Sequence, residues 1–294
     1  MRIDISGVKF DRGMKTLFEG PDGIRTIIFP SMLRTVRQIA FCGVKSLLKA
    51  VLNEGLEVLG ENRPLPNNEL IVGVFEGTGL KDVKLPSTLK KIECFTFAGC
   101  KNLKTVELPE GLEYLGVSCF AGTGLESVEF PASLRTISQA SFSHCQSLRS
   151  ARFAEGLETL GTHEYWINGR EFPGVFQNSA LESVRLPSTL KRIECLTFME
   201  CKNLKVIGFP EGLEYLGTDC FSSTGIESVE FPASLRTVSQ SSFSYCESLR
   251  SARFAEGLEV LGTDESQRDG SMWSGAFEIS ALESVRLPST LKRI

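Results

Sequence analysis

The sequence predicts a β-rich solenoid: one elongated right-handed superhelix of about eleven rungs, each 22–23 residues long, with a 13-residue insert at every fourth spacing. Three observations predict it. Phenylalanine recurs at positions 18, 41, 75, 97, 120, 142, 176, 198, 221, 243 and 277, at spacings of 22 or 23 residues interrupted by three of 34. A longer period of 101 residues overlies this beat, with super-repeats starting at 74, 175 and 276, and residues 74–161 match 175–262 at 63 of 88 positions. Between the phenylalanines, apolar and polar residues alternate and then meet a proline. That is the pattern of a short half-buried strand that ends where the ladder loses a donor.

A typical rung runs from Phe97 through Cys100, Leu103, Val106, Leu108, Pro109, Leu112 and Leu115 to Phe120. Alternation at Thr105, Val106, Glu107 and Leu108 predicts a strand with its apolar members turned inward. Pro109 ends that strand, Leu112 and Leu115 return the chain to the core, and the next phenylalanine closes the circuit. The composition follows. Eleven of the 20 Phe hold the rung position, six more (Phe29, Phe130, Phe153, Phe209, Phe231, Phe254) end strands, and eight of the 12 Pro follow a strand directly. The phenylalanine column is therefore a core spine, because stacked apolar columns are what solenoids bury. Residues 1–17, with Ile3, Ile5, Val8 and Phe10 interleaved with polar groups, are expected to cap the start as an edge strand, leaving 18–294 to the solenoid.

The Leu103-x-x-Val106-x-Leu108 core resembles a leucine-rich-repeat strand. Units such as Leu125-Glu-Ser-Val-Glu-Phe-Pro-Ala-Ser-Leu134-Arg-Thr-Ile137, followed by Phe142-Ser-His-Cys145, resemble the BspA-like (Treponema-type) repeats, over about residues 11–294. The resemblance implies a non-catalytic binding module. Such repeats are typical of bacterial and protist surface proteins that bind host or partner proteins, and they bring no catalytic residue with them.

Composition excludes other classes. With Lys+Arg 32 against Asp+Glu 36 the net charge is -4, which argues against a nucleic-acid partner that would need a basic stripe. No apolar run approaches the roughly 18 residues of a membrane span. The opening Met-Arg-Ile-Asp-Ile-Ser-Gly has no charged head followed by an apolar stretch, so no signal peptide is expected. No enzyme is expected either. His144 becomes Tyr245 and His163 becomes Asp264 in the next copy, no nucleophile elbow or phosphate loop occurs, and the Glu155/Glu158 pair recurs with bases beside it. Eight of nine Cys (94, 100, 119, 145, 195, 201, 220, 246) stand at equivalent rung positions. They read as compact buried side chains with reduced thiols, and neither a cofactor nor a metal is expected.

A second periodicity concerns charge. The residue after the inward Leu alternates in sign without a break: Arg34, Glu57, Lys90, Glu113, Arg135, Glu158, Lys191, Glu214, Arg236, Glu259, Lys292. On neighbouring rungs each acid is expected between two bases, which would fix register, since a slip by one rung places like charges together.

The expected partner is another protein, and two surfaces compete for it. The first is the strand face, whose outward central residues include Arg152, Arg185, Arg253 and Arg286; solenoids use such faces as extended binding sites. The second is the set of inserts Glu61–Gly73, Thr162–Gly174 and Thr263–Gly275, where Arg63, Leu65, Tyr165, Trp166, Phe172, Met272 and Trp273 are candidate anchors. The two later inserts share only 4 of 13 positions, so length is kept while chemistry varies. The last rung ends at Leu291-Lys-Arg-Ile294 without a polar cap, from which self-association, docking on a partner or a longer array is expected. Two functions follow: an adhesin-like or receptor-like surface ligand binder, or an intracellular scaffold in a larger assembly. The resemblance favours the surface; the missing leader and the thiols favour the second.

Overall fold

A computed structural model describes residues 2–4, 23–29, 33–36, 41–60, 72–162, 166–167, 170–262 and 275–294, with 2–4, 166–167 and 170–171 described by backbone alone. The fold is a β-rich solenoid, and no helix among the described residues is long and apolar enough to cross a membrane. The chain forms two compact units, Met1–Leu148 and Arg149–Ile294.

Each unit carries two columns of parallel strands. In the first unit the longer strands pair in the order Arg2–Asp4, Thr26–Ile28, Lys49–Val51, Asp82–Lys84, and Ser127–Phe130 follows later. Its short strands pair in succession as Thr35–Val36, Val58–Leu59, Lys91–Ile92, Tyr114–Leu115 and Thr136–Ile137. In the second unit Ser150–Phe153 pairs with Ser183–Arg185, and Ser228–Phe231 with Ser251–Phe254 and then Ser284–Arg286. The short column there runs Thr159–Leu160, Arg192–Ile193, Tyr215–Leu216, Thr237–Val238, Val260–Leu261.

The period-2 pattern explains which side is buried. Along Ser127–Phe130, Val128 and Phe130 are buried while Ser127 and Glu129 are exposed. Leu112 and Leu115 are fully buried on the return course. The phenylalanines form a spine in each unit. Phe41, Phe75, Phe97, Phe120 and Phe142 stack in turn at 5.7, 5.5, 5.1 and 5.3 Å. Phe176, Phe198, Phe221, Phe243 and Phe277 stack at 5.5, 5.1, 5.2 and 5.5 Å. Each fully buried ring contributes roughly 1.5–3 kcal/mol of transfer free energy. The turn carrying each ring is itself a ladder: the Phe97 N–H donates to the Cys119 carbonyl and the Phe120 N–H to the Ser141 carbonyl, both at 2.8 Å. Around Phe97 that turn places left-handed residues on both sides of the ring, Phe95 (φ 56) and Gly99 (φ 67).

One predicted strand does not form. Thr105, Val106, Glu107 and Leu108 have the right alternation, yet residues 104–110 are not in a strand, and neither are 204–210 in the next copy. Among the described residues, the backbone groups of 105–108 and of 206–209 make no backbone hydrogen bond. The nearest links are Glu126 N–H to Lys104 C=O at 3.0 Å and Glu227 N–H to Lys205 C=O at 3.1 Å. Alternation records which side chain faces the core; it does not require the backbone to join a ladder. Here the rung is already held by its phenylalanine turn and its short strand, so this segment departs from the pairing plane. Val206 is left 71% exposed while Ile207 is buried.

Candidate recognition face

The outward row of the longer strands is set by their register. In the first unit Lys49 stands on Asp82, with Nζ 2.6 Å from the carboxylate, and Val51 stands on Lys84. Lys104 reaches Glu126 at 3.3 Å. In the second unit Arg149 pairs with Glu182, Lys205 with Glu227 at 3.8 Å, and Arg253 with Glu230 at 3.4 Å. Two register pairs depart from this rule of opposites: Arg152 lies directly on Arg185, and Arg253 directly on Arg286. The structure thus gathers the four strand-face arginines into two stacked pairs, all four exposed.

The alternating charge column is adjacent through its backbone: the Lys90 N–H donates to Glu57 C=O, Glu113 to Lys90 and Arg135 to Glu113, and Lys191, Glu214, Arg236, Glu259 and Lys292 form the same chain of donors upon Glu158. Side-chain pairing is partial. Arg34 meets Glu57, Lys191 meets Glu158 at 3.3 Å, and Lys292 meets Glu259 at 2.8 Å. Arg135 and Arg236 instead donate to the Ala132 and Gly257 carbonyls at 3.1 and 2.8 Å. The hydrogen bond from Lys292 holds the Glu259 carboxyl below its ordinary value.

Of the insert candidates, Arg63, Leu65, Tyr165, Met272 and Trp273 lie outside the described residues, and so does the Trp166 side chain. The backbone of the second insert forms its own antiparallel hairpin, Trp166 opposite Glu171 and Ile167 opposite Arg170, and Phe172 beyond it is half-buried.

The interior holds polar groups whose chemistry is sealed. Cys100, Cys145, Cys201 and Cys246 donate to the carbonyls of Phe75, Phe120, Phe176 and Phe221 at 3.1, 3.2, 3.2 and 3.2 Å. Burial pushes the Cys100 and Cys201 thiols up to about 11, so they stay protonated and unreactive. Among the described residues no group of three His, Cys, Asp or Glu side chains is placed to hold a metal ion. His144 stands exposed at φ 57, two residues past Phe142, on the turn position that Gly99 holds in an earlier rung.

Two buried acids escaped the sequence reading. Glu93 and Glu194 end the short strands at a position where neighbouring rungs carry Gly60, Gly116, Gly161 and Gly217. The glycines make room: a Cβ on Gly60 would lie 2.7 Å from that of Glu93. Burial raises the Glu93 carboxyl above its ordinary value, with Lys91 opposing the rise. Arg192 donates to Glu194 Oε1 at 2.9 Å and lies 3.8 Å over the Tyr215 ring. The other oxygen of each acid has no hydrogen-bond partner. A charged residue in a glycine column was the available signal.

A family model described as "BspA type Leucine rich repeat region" matches residues 13–63, 69–166 and 173–294. No curated protein matches the chain. Among known structures, a leucine-rich repeat protein from Bacteroides ovatus is similar at a TM-score of 0.63 and 21% identity, covering 92% of this chain and 82% of that one. A leucine-rich repeat protein of T. pallidum is 22% identical over 68% of this chain and 76% of its own, at a TM-score of 0.48. A leucine-rich cell surface protein from Faecalibacterium prausnitzii is 17% identical over 86% and 83%, at 0.35.

Proposed function

The chain belongs to the BspA-type leucine-rich repeat family, and from that premise we propose that it is a non-catalytic module for protein–protein recognition. The observation that carries this reading is a contrast in one scaffold. Thiols and buried acids are sealed inside, while the longer strands hold an exposed row of fixed side chains, including the two stacked arginine pairs. The leading version is a surface ligand binder of adhesin-like or receptor-like kind. A scaffold inside the cell is the second version, favoured by eight buried free thiols, which suit a reducing compartment. Candidate contacts are Arg152, Arg185, Arg253 and Arg286 on the face, and Tyr165, Trp166, Phe172, Met272, Trp273, Arg63 and Leu65 in the inserts.

The test is a binding isotherm of the whole chain against a panel of purified extracellular and cytosolic proteins. Saturable binding that weakens at least about tenfold in a Trp166→Ala/Trp273→Ala variant or in a variant with all four arginines changed to Ala, at unchanged unfolding temperature, is the expected result. Binding to no protein on either panel, or binding by both variants equal to that of the unchanged chain, contradicts the sites proposed.

A further inference from the structure

Resting on the protein-recognition reading, we propose that the pairs Arg152/Arg185 and Arg253/Arg286 grip the carboxylates of an extended acidic segment of the partner protein. Like charges directly opposite in register oppose the pairing of their strands. Ion pairs across this face join Lys49 to Asp82, Lys104 to Glu126, Arg149 to Glu182, Lys205 to Glu227 and Arg253 to Glu230, and among the described residues only these two register pairs put like on like. The arrangement also occurs twice, 101 residues apart, whereas one period earlier Val51 stands on Lys84. Arg185 and Arg286 have no ion-pair partner among the described residues, and Arg253 shares its guanidinium with Glu230 at 3.4 Å. Glu155, an acid within electrostatic reach of Arg185, is already occupied by the Ser188 hydroxyl at 2.9 Å and the Thr189 N–H at 3.2 Å.

Geometry defines the ligand. Guanidinium groups on adjacent strands stand about 4.8 Å apart at their bases, and two such forks can close on one carboxylate from either side. From Arg152 to Arg253 is four rung steps, about 19 Å at that spacing, which an extended chain covers in about six residues. What lies between the pairs suits a peptide. The interrupted rung leaves the backbone N–H and C=O groups of 206–209 without backbone partners among the described residues. Those groups can bond to a peptide backbone, whose donors and acceptors alternate as theirs do. Val206, 71% exposed, offers an apolar contact, and Gly208 has open space above it. The preferred segment therefore has acidic residues at two points about six residues apart and an apolar residue between them.

The experiment uses the whole chain and a fluorescein-labelled dodecapeptide of Ser and Gly with two Glu-Glu pairs about six residues apart and Val midway, read by anisotropy at low ionic strength. A Gln-for-Glu peptide, a peptide with the pairs about three residues apart, and a sulfated hexasaccharide serve as comparisons. The expected result is binding about tenfold or more tighter than either comparison peptide, lost in Arg185→Gln/Arg286→Gln and in Arg152→Gln/Arg253→Gln at unchanged unfolding temperature. Binding by either double variant equal to that of the unchanged chain, or indifference to acid spacing, overturns the assignment. Arginine-dependent binding of the hexasaccharide with none of the acidic peptide overturns the protein-recognition reading as well. If neither ligand binds while the tryptophan-dependent binding to a panel protein persists, the arginine assignment alone falls.

Discussion

Within a single rung, Tyr114–Leu115 is bonded to strands on both sides, while residues 105–108, a few positions earlier, are bonded on neither. The next copy repeats the contrast, with Tyr215–Leu216 paired on both sides and 206–209 on neither. The duplicated sequence makes the same distinction. Residues 109–116 and 210–217 are identical at all eight positions, whereas 105–108 and 206–209 differ at all four. The short-strand column and the phenylalanine turn hold this rung in each copy, which leaves its interrupted segment free to change its chemistry, while the longer strands Ser127–Phe130 and Ser228–Phe231 keep one sequence. A solenoid can divide its work in this way because each rung needs continuous support from its neighbours, not support along every course.

The comparison can be broken most severely at the spine. Phe198 is fully buried between Phe176 and Phe221, so Phe198→Ala should cost about 3–5 kcal/mol in denaturant unfolding. Val206→Ala on the interrupted segment should stay within about 0.5 kcal/mol. A paired glycine experiment sharpens the contrast. A Cβ on Gly217 would lie 2.6 Å from the Cys195 nitrogen, whereas one on Gly208 meets nothing within 4 Å. Gly217→Ala should therefore cost about 1–3 kcal/mol, while Gly208→Ala should be neutral or stabilising by up to about 1 kcal/mol.

The smallest effect is pH-dependent and lies at the end of a short strand. Burial holds the Glu93 carboxyl above its ordinary value, so between the ordinary and the folded value the folded chain keeps a proton that the unfolded chain has released. Stability from this group is complete below the ordinary carboxylate pKa and is lost as pH rises through the folded value. Glu93→Gln should raise the unfolding midpoint at neutral pH, and the gain should vanish once the medium is acidic enough to protonate Glu93 in both states. A gain that persists unchanged in acid would assign the effect to packing.

Much of this architecture was legible in the sequence because repetition multiplies a weak signal. One Leu-x-x-Val-x-Leu run says little, but a phenylalanine returning at a fixed interval locates the core, and the buried stacks follow that column. The thiols were legible for the same reason, since their rung positions recur. The interruption at 105–108 was not, because alternation is identical whether or not the backbone pairs. Nor was the stacking of Arg152 on Arg185 argued from sequence: the four arginines were named as an outward row, and only the register pairs them across the long insert. Glu93 and Glu194 were passed over because an acid beside a basic residue reads as surface until the glycines flanking it in space are known.

Native-state hydrogen exchange tests the division most directly, since it reads each amide separately. The amides of Tyr215 and Gly217, which donate to Lys191 and Ile193 carbonyls at 3.1 and 2.9 Å, should exchange orders of magnitude more slowly than in a free peptide. Those of 206–208, and of 105–107 in the earlier copy, should exchange close to the free-peptide rate. Protection of 206–208 equal to that of Tyr215 and Gly217 would mean that the interrupted segment is bonded as tightly as the short column, and the account of a rung held without it would be wrong.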